Sequence, residues 1–291
     1  MSAPLVAVED LNVVLPTGHR SEVEAVRRVN LVISDGERVG LVGESGSGKS
    51  VTGRAIAGLL PTSPLVRVSG SIRLSGTEMV GAPPAAWDEV RRKHVGMIFQ
   101  DPLTYLNPTM RVGKQVAESI PAGREGDAAA RTRAVHRFLE QAGLEHPEEV
   151  AAKFPHELSG GMRQRVLIAI AIAKLPRLII ADEPTTALDA TVQQRVLRTL
   201  DTTVSELGTS LLLISHDLAV VAGMTDRIYV MYGGRIVEEG PTEQVFTEPR
   251  HRYTQALLRA VRSLTDDGVE LYSVPPELRR ELAEEVAADA P

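Results

Sequence analysis

The chain opens on three stretches of alternating or continuous β-branched and apolar residues: L-V-A-V-E-D-L-N-V-V-L, V-R-R-V-N-L-V-I and R-V-G-L-V. That pattern predicts three strands. A glycine-rich loop follows, and helix-forming residues from Ser50 to Leu60 stop at Pro61. V-R-V-S-G-S-I-R-L-S-G then reads as a further β pair, so the first hundred residues predict a β-rich region with a single helix behind the loop. From Pro102 to about Pro155 the period becomes helical, over Met110 to Ile120, Ala128 to Ala142 and Pro147 to Phe154, interrupted by P-A-G-R-E-G-D. This predicts an inserted helical lobe. Beyond it, apolar strands (Leu178 to Ala181, Ser210 to Ile214, Arg227 to Met231) alternate with helices (Gly161 to Lys174, Thr191 to Leu207, Asp217 to Ala222). Such alternation is the βαβ pattern of a mostly parallel sheet. Glu248 to Pro291 reads as a tail with helices near Tyr253 to Val261 and Glu277 to Ala287, and no internal repeat is visible.

Composition narrows the class. With 291 residues and 43% apolar positions, the chain builds a core of ordinary size. A net charge of -6 with 24% charged residues of mixed sign argues against a broad basic face for nucleic acid. There is no cysteine, which rules out disulfides, thiolate metal sites and cysteine-held iron–sulfur clusters and fits a reducing compartment. The N-terminus lacks the basic-then-apolar pattern of a signal peptide. The most apolar run, Val166 to Ala173, is far short of the roughly 20 residues that cross a bilayer. Work at a membrane would therefore need another chain to hold this one there.

Several short segments carry chemistry. G-E-S-G-S-G-K-S, Gly43 to Ser50, follows the apolar strand V-G-L-V and opens a helix at Val51, the context a P-loop requires. Gly43, Gly46 and Gly48, with Ser45 and Ser47, let backbone N–H groups converge on phosphate oxygens. Lys49 supplies a point charge for the β- and γ-phosphates, and Ser50 a hydroxyl for Mg²⁺. L-I-I-A-D-E ends a buried strand in two acids: Asp182 suits Mg²⁺, and Glu183 suits polarisation of an attacking water. V-G-M-I-F-Q ends in Gln100, either a plain surface amide or a metal contact at the border of the helical lobe. L-L-L-I-S-H-D places His216 at a strand tip, as a cap, as a core histidine, or facing a ligand crevice where imidazole contacts the γ-phosphate or orients water. In L-S-G-G-M, Ser159, Gly160 and Gly161 at a helix start suit an anion, yet a simple N-cap with a glycine turn explains them equally well. Trp87 reads as a packing residue, and His136 and the acidic segment E-L-A-E-E-V-A-A-D-A-P as solvated.

Taken in order and spacing, G-E-S-G-S-G-K-S, Gln100, L-S-G-G-M-R-Q-R, L-I-I-A-D-E, T-A-L-D (with Asp189) and S-H-D resemble the nucleotide-binding subunits of ABC transporters. The resemblance spans roughly Leu5 to Arg259. M-I-F-Q-D-P-L-T-Y-L-N-P-T-M, H-E-L-S-G-G-M-R-Q-R and R-H-R-Y-T-Q-A-L-L resemble the branch serving dipeptide, oligopeptide and nickel importers. It implies an α/β fold, a P-loop NTPase (RecA-like) core with an antiparallel β subdomain and an inserted α-helical subdomain. The implied division is core and β subdomain over 1–101 and 156–247, helical insert over 102–155, and C-terminal extension over 248–291.

The resemblance also implies ATP and Mg²⁺ as cofactors, with Ser50, Gln100 and Asp182 toward the metal. It implies Glu183 as general base, His216 as the γ-phosphate switch and Asp189 at a dimer seam. Ser159, Gly160 and Gly161 would bind ATP held by the P-loop of a second ATP-binding subunit, identical or homologous. Two transmembrane permease subunits, docking on the helical lobe, an extracellular solute-binding protein, and residence at the cytoplasmic face of the membrane complete the implied picture. The chain departs from many relatives in Met162, where glutamine is common, and in lacking an aromatic between Val13 and Val26 to stack on adenine, leaving Leu15 or His19 for that contact. It also lacks the C-terminal cysteines that hold an iron–sulfur cluster in the peptide branch. A rival reading is a soluble ABC ATPase acting on nucleic acid or ribosomes; the single P-loop and compact insert of about 50 residues favour the transporter.

Overall fold

The computed structural model describes residues 3–17, 21–61, 66–121, 123, 126–186, 188–263, 277–278, 280–282 and 284. His19, Ala187 and most of the tail lie outside them. In chain order the elements are β1 (Val6–Pro16), β2 (Glu22–Ile33), β3 (Arg38–Val42), α1 (Lys49–Ile56), β4 (Arg67–Leu74), β5 (Thr77–Glu78), α2 (Pro84–Lys93), β6 (Val95–Ile98) and α3 (Pro102–Tyr105). There follow α4 (Val112–Ser119), α5 (Ala128–Gln141), α6 (Pro147–Ala152), α7 (Gly160–Ile172), β7 (Leu178–Asp182), α8 (Ala190–Leu207), β8 (Ser210–Ser215), α9 (Leu218–Met224), β9 (Arg227–Tyr232), β10 (Arg235–Pro241), α10 (Thr242–Thr247) and α11 (Arg252–Ser263). The chain forms two compact units, one of Met1–Ser34, Arg38–Val80 and Leu213–Pro291, the other of Asp35–Glu37 and Gly81–Leu212.

In the first unit, β1 lies between β2 and β4 in an antiparallel sheet of order β2-β1-β4-β5. Alternation places Val6, Val8, Leu11 and Val13 of β1 and Val26, Val29, Leu31 and Ile33 of β2 in the core. The register slips near Asp10 and Arg28, both at positive φ, and asparagine side chains take over from the ladder there: Asn30 Oδ1 accepts from the Asp10 N–H and Asn12 Oδ1 from that of Arg28. In the same unit β3 runs parallel to β9, which pairs antiparallel with β10. Val39, Leu41 and Val42 of β3 and Ile228 to Met231 of β9 are all buried, as expected of strands covered on both faces.

In the second unit β6 runs parallel to β7, and α7 packs on α3, α4, α5, α8 and β6. That surrounding cover explains why the sequence from Val166 to Ala173 is apolar on every side of the helix. Helix α5 starts at Asp127, whose carboxylate accepts from the Ala130 N–H at 2.7 Å, and buries Ala134, Val135, Phe138 and Leu139 along one stripe. Helix α8 starts on Asp189 and stops at Gly208, which takes the left-handed conformation.

Four expectations are corrected. Val66 to Gly76 does not fold back on itself: β4 is one strand, paired with β1 on one side and short β5 on the other. The first hundred residues hold a second helix, α2, which buries no residue and is laced by surface pairs such as Lys93–Glu89 at 2.9 Å; Trp87 on it is only half-buried. His136 is mostly covered, with Nδ1 3.6 Å from Glu148. The acidic segment is exposed at Glu281 and Glu284, but Leu282 is only 2% exposed and Glu281 lies 3.0 Å from Arg252; its other residues lie outside those described. Strand β10 and helices α3 and α10 are likewise not announced by the apolar periodicity. Among the described residues no helix is long and apolar enough to cross a membrane.

Candidate functional site

The glycine loop belongs to the first unit, between β3 and α1. Gly43, Gly46 and Gly48 all have positive φ, of 149°, 81° and 105°. At Gly43 a Cβ would lie 2.1 Å from the Met231 carbonyl oxygen, and at Gly48 one would lie 2.4 Å from that of Ala25. Both close approaches are to backbone, so these two positions exclude any side chain. Thr52 Oγ1 bonds back to the Gly48 carbonyl at 3.0 Å, and the Gly234 N–H donates to Ser47 at 3.0 Å, tying the loop to α1 and to the β9–β10 turn. Ser45 and Gly46 at the tip are exposed, whereas Ser47 is buried and Ser50 and Val51 are half-buried.

Lys49 is 4% exposed. Its Nζ donates to the Gly43 and Glu44 carbonyls, each at 2.8 Å, and lies 3.5 Å from Ser47 Oγ. The two backbone carbonyls thus fold the ammonium over the loop. His216, also in this unit, is exposed between β8 and α9, just ahead of Asp217, which caps α9 by accepting from Ala219 and Val220.

The second unit carries the acidic pair. Asp182 ends β7 and is 1% exposed. Glu183 turns out of the strand with φ of 48°, a backbone state that costs a non-glycine residue about 1–3 kcal/mol and points to a position fixed for use. Its Oε2 accepts from Thr186 Oγ1 at 2.8 Å, which orients the carboxylate. Gln100 is exposed at the end of β6. Just before it, the Phe99 carbonyl accepts from the buried Gln164 Nε2 at 3.0 Å, and the Phe99 ring stacks on Tyr105 at 3.6 Å. Asp101 caps α3, and hydrogen bonds from Thr104 and the Leu103 N–H hold its carboxyl below the usual range.

Ser159 and Gly160 are exposed at the start of α7, and Ser159 Oγ accepts from the Met162 N–H at 3.3 Å, so the N-cap role is real. Arg163 holds the approach to this turn through the Pro155 carbonyl at 2.6 Å. Gly161 is buried, and a Cβ there would sit 2.3 Å from Val192 Cγ1. Its smallness lets α7 and α8 meet. Gly161→Ala is expected to lower folding stability by about 1–2 kcal/mol, and adding Val192→Ala to recover most of it, as denaturant melts of single and double variants will show. Asp189 is likewise a cap, accepting from the Val192 N–H at 3.0 Å.

Sequence reasoning missed three partners. Gln164 and Thr186 sit inside recognised motifs but were given no role. Tyr253 lies within R-H-R-Y-T-Q-A-L-L, and its hydroxyl accepts from the Glu44 N–H at 2.9 Å across 209 residues of sequence. No spacing rule reaches that far.

Residues 26–186 match the ABC transporter family, and residues 237–285 match the oligopeptide/dipeptide transporter C-terminal region. The chain is 46% identical over 279 residues to the oligopeptide transport ATP-binding protein OppD of Bacillus subtilis, covering 94% of this chain and 77% of that protein. It is 42% identical over 271 residues to OppD of Salmonella typhimurium, with 93% and 80% covered. Among solved structures, a dimeric post-hydrolysis state of the ATP-binding cassette MJ0796, bound to ADP and Pi, is similar with a TM-score of 0.72 and 28% identity over 81% of this chain and 98% of that one. With its glycine loop, buried lysine and acid-tipped strand, the chain belongs to the ABC transporter family.

Proposed function

We propose that this chain is the ATP-hydrolysing subunit of an ABC importer that powers uptake of peptides or a related small solute, such as nickel or a metal chelate. The observation that carries the reading is Lys49: a buried ammonium folded over a loop from which backbone contacts exclude every side chain at Gly43 and Gly48. Such a loop, opening a helix beside an ammonium, suits a phosphate chain. The match of residues 237–285 to the oligopeptide/dipeptide C-terminal region and the names of the relatives support the cargo class.

In this reading the amides of Gly43 and of Ser45 to Val51, with the Lys49 charge, hold the phosphates of ATP. Ser50, Asp182 and Gln100 would hold Mg²⁺; their hydroxyl, carboxylate and amide oxygens are donors that suit a hard cation. When bound, Mg²⁺ offsets charge on the phosphate oxygens. Glu183 accepts the proton of the attacking water, its carboxylate aimed by Thr186. His216 contacts the γ-phosphate and helps to orient that water. Ser159, Gly160 and Gly161 face ATP held by a second ATP-binding subunit, and Asp189 lies at the seam. The closed pair forms contacts to ATP that the open pair lacks, so nucleotide shifts the equilibrium by that difference in affinity and no further.

Residues 102–155 form the lobe that meets the permeases, 1–101 and 156–247 the core with its β subdomain, and 248–291 an extension. Two permease subunits hold the chain at the cytoplasmic face of the membrane, and an extracellular solute-binding protein delivers cargo. Nucleic acid is not a partner. Vesicles reconstituted with the permeases and any second ATPase encoded beside this chain provide the test. Peptide-loaded binding protein is expected to stimulate Mg²⁺-dependent ATP hydrolysis severalfold and to deliver labelled peptide to the ATP-containing side. Hydrolysis indifferent to every peptide tried would remove the cargo class, and absence of hydrolysis would remove the ATPase.

A further inference from the structure

We propose that Tyr253, in the C-terminal extension, is a positioning residue for nucleotide binding. Its hydroxyl fixes the Gly43–Glu44 peptide and, through it, the ammonium of Lys49. The proposal rests on the reading of Gly43 to Ser50 as the nucleotide loop.

That peptide unit is held at both ends. Its carbonyl, on Gly43, accepts from Lys49 Nζ at 2.8 Å, and its N–H, on Glu44, donates to Tyr253 Oη at 2.9 Å. A peptide is planar, so fixing the N–H direction fixes the carbonyl direction as well. Because residue 43 is a glycine, its own conformational preferences hold this plane weakly. Two hydrogen bonds orient it, and the one from Tyr253 comes from outside the loop.

Tyr253 is itself firmly placed. Its side chain is 0% exposed and its ring lies 4.6 Å from that of Tyr232 at the end of β9. Glu238 of β10 grips the turn before α11, its two oxygens accepting from the N–H groups of Arg250 and His251 at 2.7 and 3.0 Å. His251 Nδ1 then accepts from the Tyr253 N–H at 3.1 Å, and Gln255 Nε2 donates to the Pro249 carbonyl at 3.0 Å. Arg252, one residue before Tyr253, pairs with Glu281 of the tail. A continuous set of contacts therefore runs from the extension to the loop, all within the first unit. This gives residues beyond Glu248 a part in nucleotide affinity that no loop motif announces.

The neighbouring Thr254 offers an internal control, since its Oγ1 is buried in the same helix with no hydrogen-bond partner among the described residues. Full-length wild type, Tyr253→Phe and Thr254→Val are titrated with MgADP by calorimetry, with hydrogen exchange followed by mass spectrometry. Y253F is expected to raise the Kd for MgADP about tenfold, the scale of losing one buried hydrogen-bond partner. The KM for ATP should rise in parallel, with kcat at saturation within twofold and faster exchange confined to the loop amides. T254V should change none of these. A Kd for Y253F within twofold of wild type would overturn the proposal. So would exchange that rises equally across β3 and β9, because the tyrosine would then be a general core residue. A wild type that binds no MgADP would instead remove the underlying reading of the loop.

Discussion

Replacing Glu183 by glutamine is expected to reduce ATP turnover at least a hundredfold while leaving the Kd for MgATP within about twofold of wild type. The argument begins with geometry. Glu183 is the first residue beyond β7, held at a positive φ that an unconstrained glutamate would leave. A backbone strained in this way persists only where surrounding structure insists on it, and Thr186 adds a 2.8 Å hydrogen bond that aims the carboxylate. Glutamine keeps the volume, and its amide oxygen still accepts from Thr186. It cannot take a proton, and loss of a positioned base costs typically 10²- to 10⁴-fold. Phosphate release and calorimetric MgATP binding on the same preparation separate the two quantities, and a thermal melt should show no loss of stability. Near-normal turnover by Glu183→Gln would assign the proton to another group.

The parts of this molecule that sequence could announce are those carried by contiguous residues. Strands β3, β7 and β8 carry the unbroken runs V-G-L-V, L-I-I-A and L-L-L-I because those residues are buried, and each run reads directly from the sequence. Helix α2 escaped notice for the opposite reason: with nothing buried, P-A-A-W-D-E-V-R-R-K has no core-facing stripe to betray it, and its support is surface ion pairing. The glycine loop was readable because eight adjacent residues contain the whole cradle. Its tether to Tyr253 was not, since the two partners are brought together only by β10 and α11. Gly161 shows a different limit: a glycine before a helix suits an anion on paper, whereas the structure shows it also required by the approach of Val192. The same double duty holds for Ser159 and Asp189, which cap α7 and α8 whatever else they do. A motif read from sequence names the residue and its chemistry, but not how much of its presence local folding already demands.

That double duty shapes the second large expected effect. Ser159→Arg should block hydrolysis at least a hundredfold, but it also removes the cap on α7, a loss of about 1 kcal/mol on its own. Ser159→Asp separates the two roles. Aspartate caps as well as serine, so the melt should match wild type, and the Lys49 loop is untouched, so MgATP should bind one chain as before. What changes is a negative charge on an exposed helix start, where the proposed site receives the γ-phosphate from a second subunit. Repulsion there opposes closure of the pair. In the Glu183→Gln background, where closed pairs accumulate because hydrolysis is blocked, MgATP should shift the sedimentation of the chain, with its own or its natural partner ATPase, toward the dimer. The Glu183→Gln/Ser159→Asp double variant should stay monomeric at the same nucleotide concentration while retaining its MgATP affinity. If the double variant closes as readily as the single one, or a strictly monomeric wild type turns over ATP at full rate, Ser159 is a helix cap alone and the second subunit has no part in the site.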